Sequence, residues 1–198
     1  MTSISRLRSF VREFTTLVER HGADEARMLD DGERLLGTLI ATDDWLPEAF
    51  ARPSDEGYRQ YLLHCDPLER FSVASFVWRP GQKTPVHDHT VWGLVGVMRG
   101  EERCEEYADP VAGRALAKTG EHRVTPGQVD RVSPRIGDVH VVSNAGDTGT
   151  AISIHVYGAN IGAVRRHVFD AASGAPRDFI SGYHNTEVPN LWDRAREA

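Results

Sequence analysis

The feature that most constrains the fold of this chain is a series of short apolar runs separated by turn residues, which begins after Tyr58. The runs at 71–78, 91–98 and 151–157 are rich in valine, isoleucine and aromatic residues. Such residues favour β-strands, whereas the glycine and proline pairs between the runs, such as Pro126-Gly127, favour turns. Several short strands at regular turn spacing predict a mainly β sandwich or barrel.

Two amphipathic helices are predicted ahead of the strands. From Leu7 to Val18, apolar residues recur every three or four positions, which is the stripe of one helix face. A second helix is predicted from Asp24 to Ile40, and Pro47 follows it as a helix-terminating residue. We expect the two helices to lie at one end of the barrel.

The length of 198 residues fits a single domain, 1–198, with a sizeable buried core. Within it we expect a helical N-terminal part at 1–57, a barrel at 58–170 and a C-terminal cover at 171–198. Glycine and proline punctuate the last of these segments. It is therefore predicted to pack irregularly over the barrel.

Charge and composition exclude several classes of partner. The formal net charge is −6, and the longest basic run is Arg165-Arg166. Nucleic acid and anionic membranes need a basic patch, so we expect neither as a partner. We see no signal peptide and no run of about 18 apolar residues. Cys65 and Cys104 are too few for a disulfide framework and are interpreted as buried or idle thiols, so we expect a cytoplasmic location.

Three histidines have the spacing of metal ligands. Residues 85–89 read Pro-Val-His-Asp-His and place His87 and His89 two positions apart. On a strand such positions face the same side, so both nitrogens can meet at one point inside a barrel. Downstream, a Pro-x-x-Gly turn at 134–137 precedes a third histidine, His140. A lone His-x-His pair is weak evidence for a metal site. The alternative is that both histidines are hydrogen-bonded or solvated on the surface.

Together these spacings resemble the two sequence motifs of the cupin superfamily, over residues 81–144. The resemblance implies a cupin, jelly-roll-like β-barrel whose histidines bind one metal. Cupins have a glutamate a few residues after the His pair, where this chain has Thr90-Val91-Trp92-Gly93. Three neutral imidazoles leave the charge of a divalent ion uncompensated, which favours an anionic, soft ligand such as a thiolate. By ligand count alone, iron and zinc both stay open.

Ser153, His155 and Tyr157 occupy alternate positions of an otherwise apolar run. Burying three polar groups side by side is unfavourable unless each has a hydrogen-bond partner. They therefore form either the polar outer face of a strand or, inside a barrel, a chain of hydrogen bonds that leads toward the metal. The second arrangement would place the Tyr157 hydroxyl beside bound substrate or dioxygen.

The combined set resembles the thiol dioxygenase family, which includes cysteine dioxygenase type I and 3-mercaptopropionate dioxygenase. The resemblance runs from residue 58 to residue 167. It implies Fe(II) on the three histidines and addition of both atoms of O2 to a thiol, which gives a sulfinic acid. It also implies that Tyr157, oriented through His155 and Ser153, donates a hydrogen bond to oxygen or substrate. The residues that carry the resemblance are His87, His89, His140, Ser153, His155 and Tyr157.

Two positions bear on the subtype. Mammalian-type cysteine dioxygenases have a cysteine after the His pair that cross-links to the tyrosine, but Gly93 stands there, so no thioether to Tyr157 is expected. Those enzymes hold the substrate carboxylate with an arginine of a Tyr-x-Arg segment, where this chain has Gln60. The segment after Tyr157 resembles the bacterial arginine-type subgroup. This implies that Arg166 binds the carboxylate with help from Gln60, while Arg165 faces outward.

The sequence thus predicts a non-haem Fe(II) thiol dioxygenase for a small carboxylate-bearing thiol, with 3-mercaptopropionate favoured over L-cysteine. The alternatives are a zinc or nickel cupin of another class, such as an isomerase or a different dioxygenase, and a non-catalytic ligand-sensing cupin. The oligomeric state stays open. The acidic pairs Glu101-Glu102 and Glu105-Glu106 are interpreted as a solvated strand or turn.

Overall fold

The computed structural model of this chain describes residues 4–193. Residues 1–3 and 194–198, at the outer ends of the predicted helical part and C-terminal cover, lie outside the described residues. Two helices precede ten strands in the described chain, which confirms the mainly β fold with N-terminal helices. Neither of these helices is long and apolar enough to cross a membrane. The elements are α1 (Ser5–His21), α2 (Glu25–Ile40), a 3-10 helix (Glu48–Phe50), β1 (Arg59–Cys65), β2 (Ser72–Trp78), β3 (Gly93–Arg99), β4 (Glu102–Tyr107), β5 (Lys118–Val124), β6 (Val129–Val132), β7 (His140–Asn144), β8 (Ala151–Tyr157), β9 (Arg166–Phe169) and β10 (Pro176–Phe179).

The strands form three antiparallel groups. Five strands pair in the order β1-β2-β8-β3-β6, three in the order β5-β4-β7, and β9 pairs with β10. The chain between β2 and β3 links the two smaller groups. Lys83 bridges to Ser143 of β7, and His87 bridges both to His140 of β7 and to Val168 of β9. The first predicted metal ligand therefore lies where these two groups meet.

The helices cover the outer face of the five-stranded sheet, so their predicted place at one end of the barrel is wrong. A Cβ added to Gly32 of α2 would lie 2.8 Å from Cδ1 of Leu94 in β3. A Cβ added to Gly96 of β3 would lie 2.9 Å from Ile40 of α2 and 3.0 Å from Leu36. The outward residues of β2, β3 and β8 are apolar and need a covering layer, which only a face-on helix pair supplies.

Strand β8 is buried on both faces. Its isoleucines and Val156 pack in the apolar cluster that includes the helices, whereas Tyr157 belongs to a second cluster with Phe76 and Trp78 of β2. Side chains alternate along a strand, so Ser153 and His155 share the side of Tyr157. The polar residues of this strand therefore face the barrel interior, and the alternative of a solvated outer face is excluded.

The C-terminal part is more regular than predicted. Strand β10 pairs with β9 in a register that sets Phe179 opposite Arg166. Pro176 begins β10, and an edge strand tolerates the missing N–H at its first position. Glycine and proline predicted irregular structure in this segment, but Gly174 and Pro176 lie at the start of a short strand.

Candidate metal centre and adjoining cavity

Three histidines converge inside the barrel. His87, His89 and His140 are 8%, 1% and 5% exposed. Every pair of their rings has centroids 4.8 Å apart, and one ring nitrogen from each lies within 4.8 Å of the others. The Tyr157 ring stacks on His89 at 5.4 Å. The three nitrogens can hold one metal ion, with Tyr157 beside it.

The segment that carries the His pair is not the regular strand predicted for it. His87 pairs with His140 as an isolated bridge, in which the two N–H groups donate to the opposite carbonyls at 3.1 and 3.0 Å. Thr90 ends the extended segment with a φ of 60°. The alternation of faces nevertheless holds, because Asp88 points away and accepts from both N and Nδ1 of His167 at 2.7 Å.

Each imidazole has a partner at Nδ1. The partners are the Pro85 carbonyl for His87 at 3.1 Å, Asp138 for His89 at 2.8 Å and the Cys104 thiol for His140 at 3.4 Å. Such contacts fix the ring orientation and leave Nε2 for a metal. Burial lowers the pKa of His87 to about 3 and that of His140 well below its usual value. Both rings are therefore neutral, which is the form that binds metals.

Sequence reasoning missed Asp138. Its carboxylate also accepts the backbone N–H groups of His89 at 3.0 Å and Thr90 at 2.9 Å. Burial acts to raise the pKa of Asp138, but the hydrogen bonds from His89 and Thr90 outweigh it and keep that pKa below its usual value. A signal was present, because Asp138 and His140 have the same two-residue spacing as the His pair.

A second group of residue types that bind metals is less suited to the task. Cys104, His122 and Asp130 also offer ligand atoms within 4.8 Å of one another. Burial and neighbouring acidic groups raise the pKa of the Cys104 thiol, so it keeps its proton, as expected of a buried thiol. A cysteine must lose its proton to bind a metal. His87, His89 and His140 are therefore the better metal site.

The three polar residues of β8 form a hydrogen-bonded chain. Ser153 Oγ lies 2.7 Å from Nε2 of His155, and Nδ1 of His155 lies 2.8 Å from the Tyr157 hydroxyl. Burial, together with the nearby histidines, lowers the pKa of His155 well below its usual value, so the ring is neutral. Burial also raises the pKa of Tyr157, which therefore keeps its proton. The arrangement holds a protonated hydroxyl next to the three histidines.

Gly93 lies against the ring of Tyr157. A Cβ added at Gly93 would lie 2.7 Å from Cδ1 and 2.8 Å from Cε1 of that ring, and 2.9 Å from Val132. Position 93 is thus in direct contact with the tyrosine, as the family resemblance implies. A glycine there has no atom with which to form a cross-link.

A cavity of about 240 Å³ reaches the histidine cluster at His87. Its walls also include Tyr157, Gln60 and Arg166. Gln60 and Arg166 are 3% and 4% exposed, and two of their donors, Nε2 of Gln60 and Nε of Arg166, have no partner among the described residues. Buried donors without acceptors are rare, and a pair of them in one cavity suits an anionic ligand.

Arg166 is held in place by the C-terminal segment. One of its terminal nitrogens donates to Ser181 Oγ at 2.6 Å, and its guanidinium lies 4.6 Å from the centre of the Phe179 ring. The neighbouring Arg165 points outward, with 68% of its side chain exposed, and pairs with Asp178 at 2.9 Å. Sequence reasoning found the two arginines but neither Phe179 nor Ser181, which lie within the segment 171–198 that was predicted to be irregular.

Comparison with known proteins identifies one family. A family model described as cysteine dioxygenase type I matches residues 41–170. An uncharacterized conserved protein with a double-stranded β-helix domain from Klebsiella pneumoniae is 20% identical, with a TM-score of 0.45 over 61% of this chain and 94% of that one. A cupin-like protein from Thermotoga maritima is 18% identical, with a TM-score of 0.44 over 63% of this chain and 86% of that one.

Proposed function

The chain belongs to the cysteine dioxygenase type I family, and from this premise we propose that it is a non-haem Fe(II) thiol dioxygenase. Its substrate would be a small thiol that carries a carboxylate. Both atoms of O2 would be added to the sulfur, giving a sulfinic acid. The observation that carries this proposal is a cavity lined both by His87 of the histidine cluster and by Gln60 and Arg166, each of which has a buried donor without a partner among the described residues.

The residues present fit a ferrous ion. His87, His89 and His140 converge through one nitrogen each and have their other nitrogen engaged, and burial keeps His87 and His140 neutral. When bound, Fe(II) would supply the coordination of the thiolate and the activation of dioxygen. Three neutral ligands leave the positive charge of the ion uncompensated, and this supports an anionic sulfur ligand over a neutral one.

Arg166 and Gln60 would bind the substrate carboxylate. The guanidinium is buried, so a carboxylate there forms a charge-assisted hydrogen bond in a weakly screened environment. The free Nε of Arg166 and Nε2 of Gln60 supply donors that the protein itself leaves unused. Unless a ligand accepts from them, both donors stay without a hydrogen-bond partner. This supports a bound anion in the cavity.

The lining of the cavity favours 3-mercaptopropionate over L-cysteine. Among the described residues that line it, none carries a carboxylate, whereas Arg166 and Arg177 both carry positive charge. The ammonium group of L-cysteine would find no anionic partner and would lie near two arginines and the metal. A substrate without that group avoids the repulsion.

Tyr157 would act at the reacting atoms. Its ring stacks on His89, and its hydroxyl is protonated and oriented by His155 and Ser153. A hydroxyl so placed can donate a hydrogen bond to oxygen or sulfur bound nearby. The role of His155 and Ser153 in this proposal is to hold that hydroxyl.

Two further assignments belong to the same proposal. The replacement of the family arginine by Gln60, together with a cavity-lining Arg166, supports the bacterial arginine-type subgroup. The two cysteines are free thiols, which supports a reducing, cytoplasmic location. Small thiol and dioxygen are the partners we propose, with neither nucleic acid nor membrane.

Oxygen consumption by the iron-loaded protein against a panel of small thiols tests the function. We expect uptake with carboxylate-bearing thiols, and transfer of both labelled atoms from isotopic O2 to the sulfinate. Ala substitution of any one of His87, His89 or His140 should abolish iron retention, because each is one of three protein ligands. Full occupancy by zinc, with no uptake from the iron-loaded protein on any thiol, would refute the proposal.

A further inference from the structure

A buried carboxyl group ends the hydrogen-bonded chain of β8 on the side away from the cavity. Glu102 begins β4 and is 1% exposed, so its interpretation as part of a solvated strand or turn is wrong. Ser153 and Trp78 of β2 are the hydrogen-bonding side chains that act on its carboxyl. Its Oε1 has no partner, and no salt bridge to it is found in the described part of the chain. Glu102 is thus a buried acid without a counter-ion.

Burial without a counter-ion makes this carboxyl titrate near neutrality. Burial raises the pKa of Glu102 to about 7, although the hydrogen bonds from Ser153 and Trp78 oppose the rise and Asp130 of β6 adds to it. The other titratable groups nearby are Cys104 on the same strand and, through Ser153, His155 and Tyr157 of β8. The partner strands β5 and β7 present Val124 and Asn144 at the paired positions. The carboxyl therefore changes from neutral to charged as the pH rises through about 7.

The chain from Glu102 to Tyr157 has a direction. A neutral imidazole has one N–H, so His155 donates through one nitrogen and accepts through the other. If Ser153 donates to Nε2 of His155, then Nδ1 donates to the Tyr157 hydroxyl, whose own proton is free to point into the cavity. If His155 instead donates to Ser153, Tyr157 must donate to His155, and its proton points away from the cavity.

The state of Glu102 selects between these two arrangements. A neutral carboxyl can donate to Ser153, which leaves the Ser153 proton for His155. A carboxylate can only accept, and it draws the Ser153 proton to itself because charge-assisted hydrogen bonds are the stronger ones. Trp78 Nε1, 3.5 Å from Ser153 Oγ, donates in either case and does not choose the direction.

We infer that Glu102 is a positioning residue whose proton sets the direction of the Ser153–His155–Tyr157 chain. With Glu102 neutral, Tyr157 donates into the cavity, and with Glu102 ionised, Tyr157 donates to His155. The consequence for catalysis rests on the proposed function, in which the Tyr157 hydroxyl donates to oxygen or substrate. The direction of the chain itself does not depend on that function.

Infrared difference spectroscopy of the full-length protein across pH tests the direction without turnover. We expect loss of a protonated carboxyl band near neutral pH, together with a shift of a tyrosine C–O band at the same midpoint. Both changes should be absent in Glu102→Gln, and the tyrosine shift should be absent in Tyr157→Phe. In Ser153→Ala, the carboxyl should still titrate while the tyrosine band no longer responds. A carboxyl band that does not titrate, or a tyrosine shift that persists in Ser153→Ala, would overturn the inference.

The pH profile of oxygen uptake by the iron-loaded protein tests the catalytic consequence. Titration of one group with a pKa of about 7 should lower kcat about tenfold between about pH 6 and about pH 8. In Glu102→Gln, the side-chain carbonyl can accept from Trp78 and the amide can donate to Ser153 at every pH, so this fall should disappear. Glu105→Gln, on the outward side of β4, is the matched control and should keep the wild-type profile.

The outcomes separate the two proposals. Absence of oxygen uptake with every thiol defeats the proposed function, and the infrared result still decides the role of Glu102. Conversely, an active enzyme whose pH profile is the same in wild type and in Glu102→Gln defeats the inference and leaves the dioxygenase assignment standing.

Discussion

Replacement of Asp138 by Asn should weaken metal binding without removing any metal ligand. The carboxylate accepts from Nδ1 of His89 at 2.8 Å and from the backbone N–H groups of His89 and Thr90. An asparagine keeps one acceptor oxygen and presents an NH2 group in place of the other. One of the three protein donors then faces the NH2 group and has no acceptor. The loss of that charge-assisted hydrogen bond costs about 1.5–3 kcal/mol.

The substitution also acts on the tautomer of His89. An amide that donates to Nδ1 forces the ring proton onto Nε2, the nitrogen that must be free for the metal. Loss of such an outer partner typically lowers metal affinity by about 10- to 100-fold, which corresponds to about 1.4–2.7 kcal/mol. Since three donors converge on Asp138, we expect the Asn variant to lie toward the upper end of that range.

Anaerobic competition between the protein and a chelator for Fe(II) measures the effect. We expect the Kd for Fe(II) in Asp138→Asn to rise by more than about tenfold, toward about 100-fold. Asp147→Asn, an exposed aspartate beyond the other end of β7, should bind as the wild type does. A Kd for Asp138→Asn within about twofold of wild type, in a variant with an unchanged Tm, would show that other contacts orient His89.

Four other outcomes follow from the same structure. Arg166→Ala should lower kcat/KM for carboxylate thiols by about 2–5 kcal/mol, or about 30- to 5,000-fold, whereas Arg165→Ala, with its exposed side chain, should change it by less than about threefold; equal effects of the two would place the carboxylate elsewhere. The intact mass should match the unmodified sequence, because Gly93 cannot cross-link to Tyr157, and a mass two hydrogens lower that maps to Tyr157 would contradict this. The value of kcat/KM for 3-mercaptopropionate should exceed that for L-cysteine by at least about tenfold, and equal or faster turnover of L-cysteine would refute the substrate preference while leaving the enzyme class intact. Because the pKa of Glu102 is raised from 4.5 to about 7, the folded state loses stability as pH rises through that window; Glu102→Gln should therefore be more stable than wild type by about 3 kcal/mol at about pH 8 and little changed at about pH 4, as measured by urea unfolding.

The metal ligands could be predicted from sequence because their signal is local. Two histidines at alternate positions and a third after a turn need no knowledge of the rest of the fold. The same holds for Ser153, His155 and Tyr157, whose alternation with apolar residues along a strand identifies a shared face. The resemblance to thiol dioxygenases then pointed to Arg166 and Gln60.

The residues that sequence reasoning missed act across large separations along the chain. Asp138 and His89 are 49 positions apart, and the two-residue spacing of Asp138 and His140 does not indicate which histidine the carboxylate contacts. Glu102 belongs to a run of acidic residues that looks solvated, and its burial depends on which face of β4 turns inward. The helices were predicted, but their place on the sheet depends on the apolar outward face of β8, which appears only once the strands are paired.

Strand β9 belongs both to the cavity wall and to the surroundings of the histidine cluster. Its Arg166 lines the cavity, while its Val168 bridges to His87 and the backbone N–H of its His167 donates to Asp88. Ser181 lies 15 positions after Arg166, beyond the β9–β10 hairpin, and lines the same cavity. Exchange of β9 would therefore disturb the segment that carries His87, whereas substitutions confined to Phe179 and Ser181 would reshape the cavity wall and leave the pairing of that segment in place.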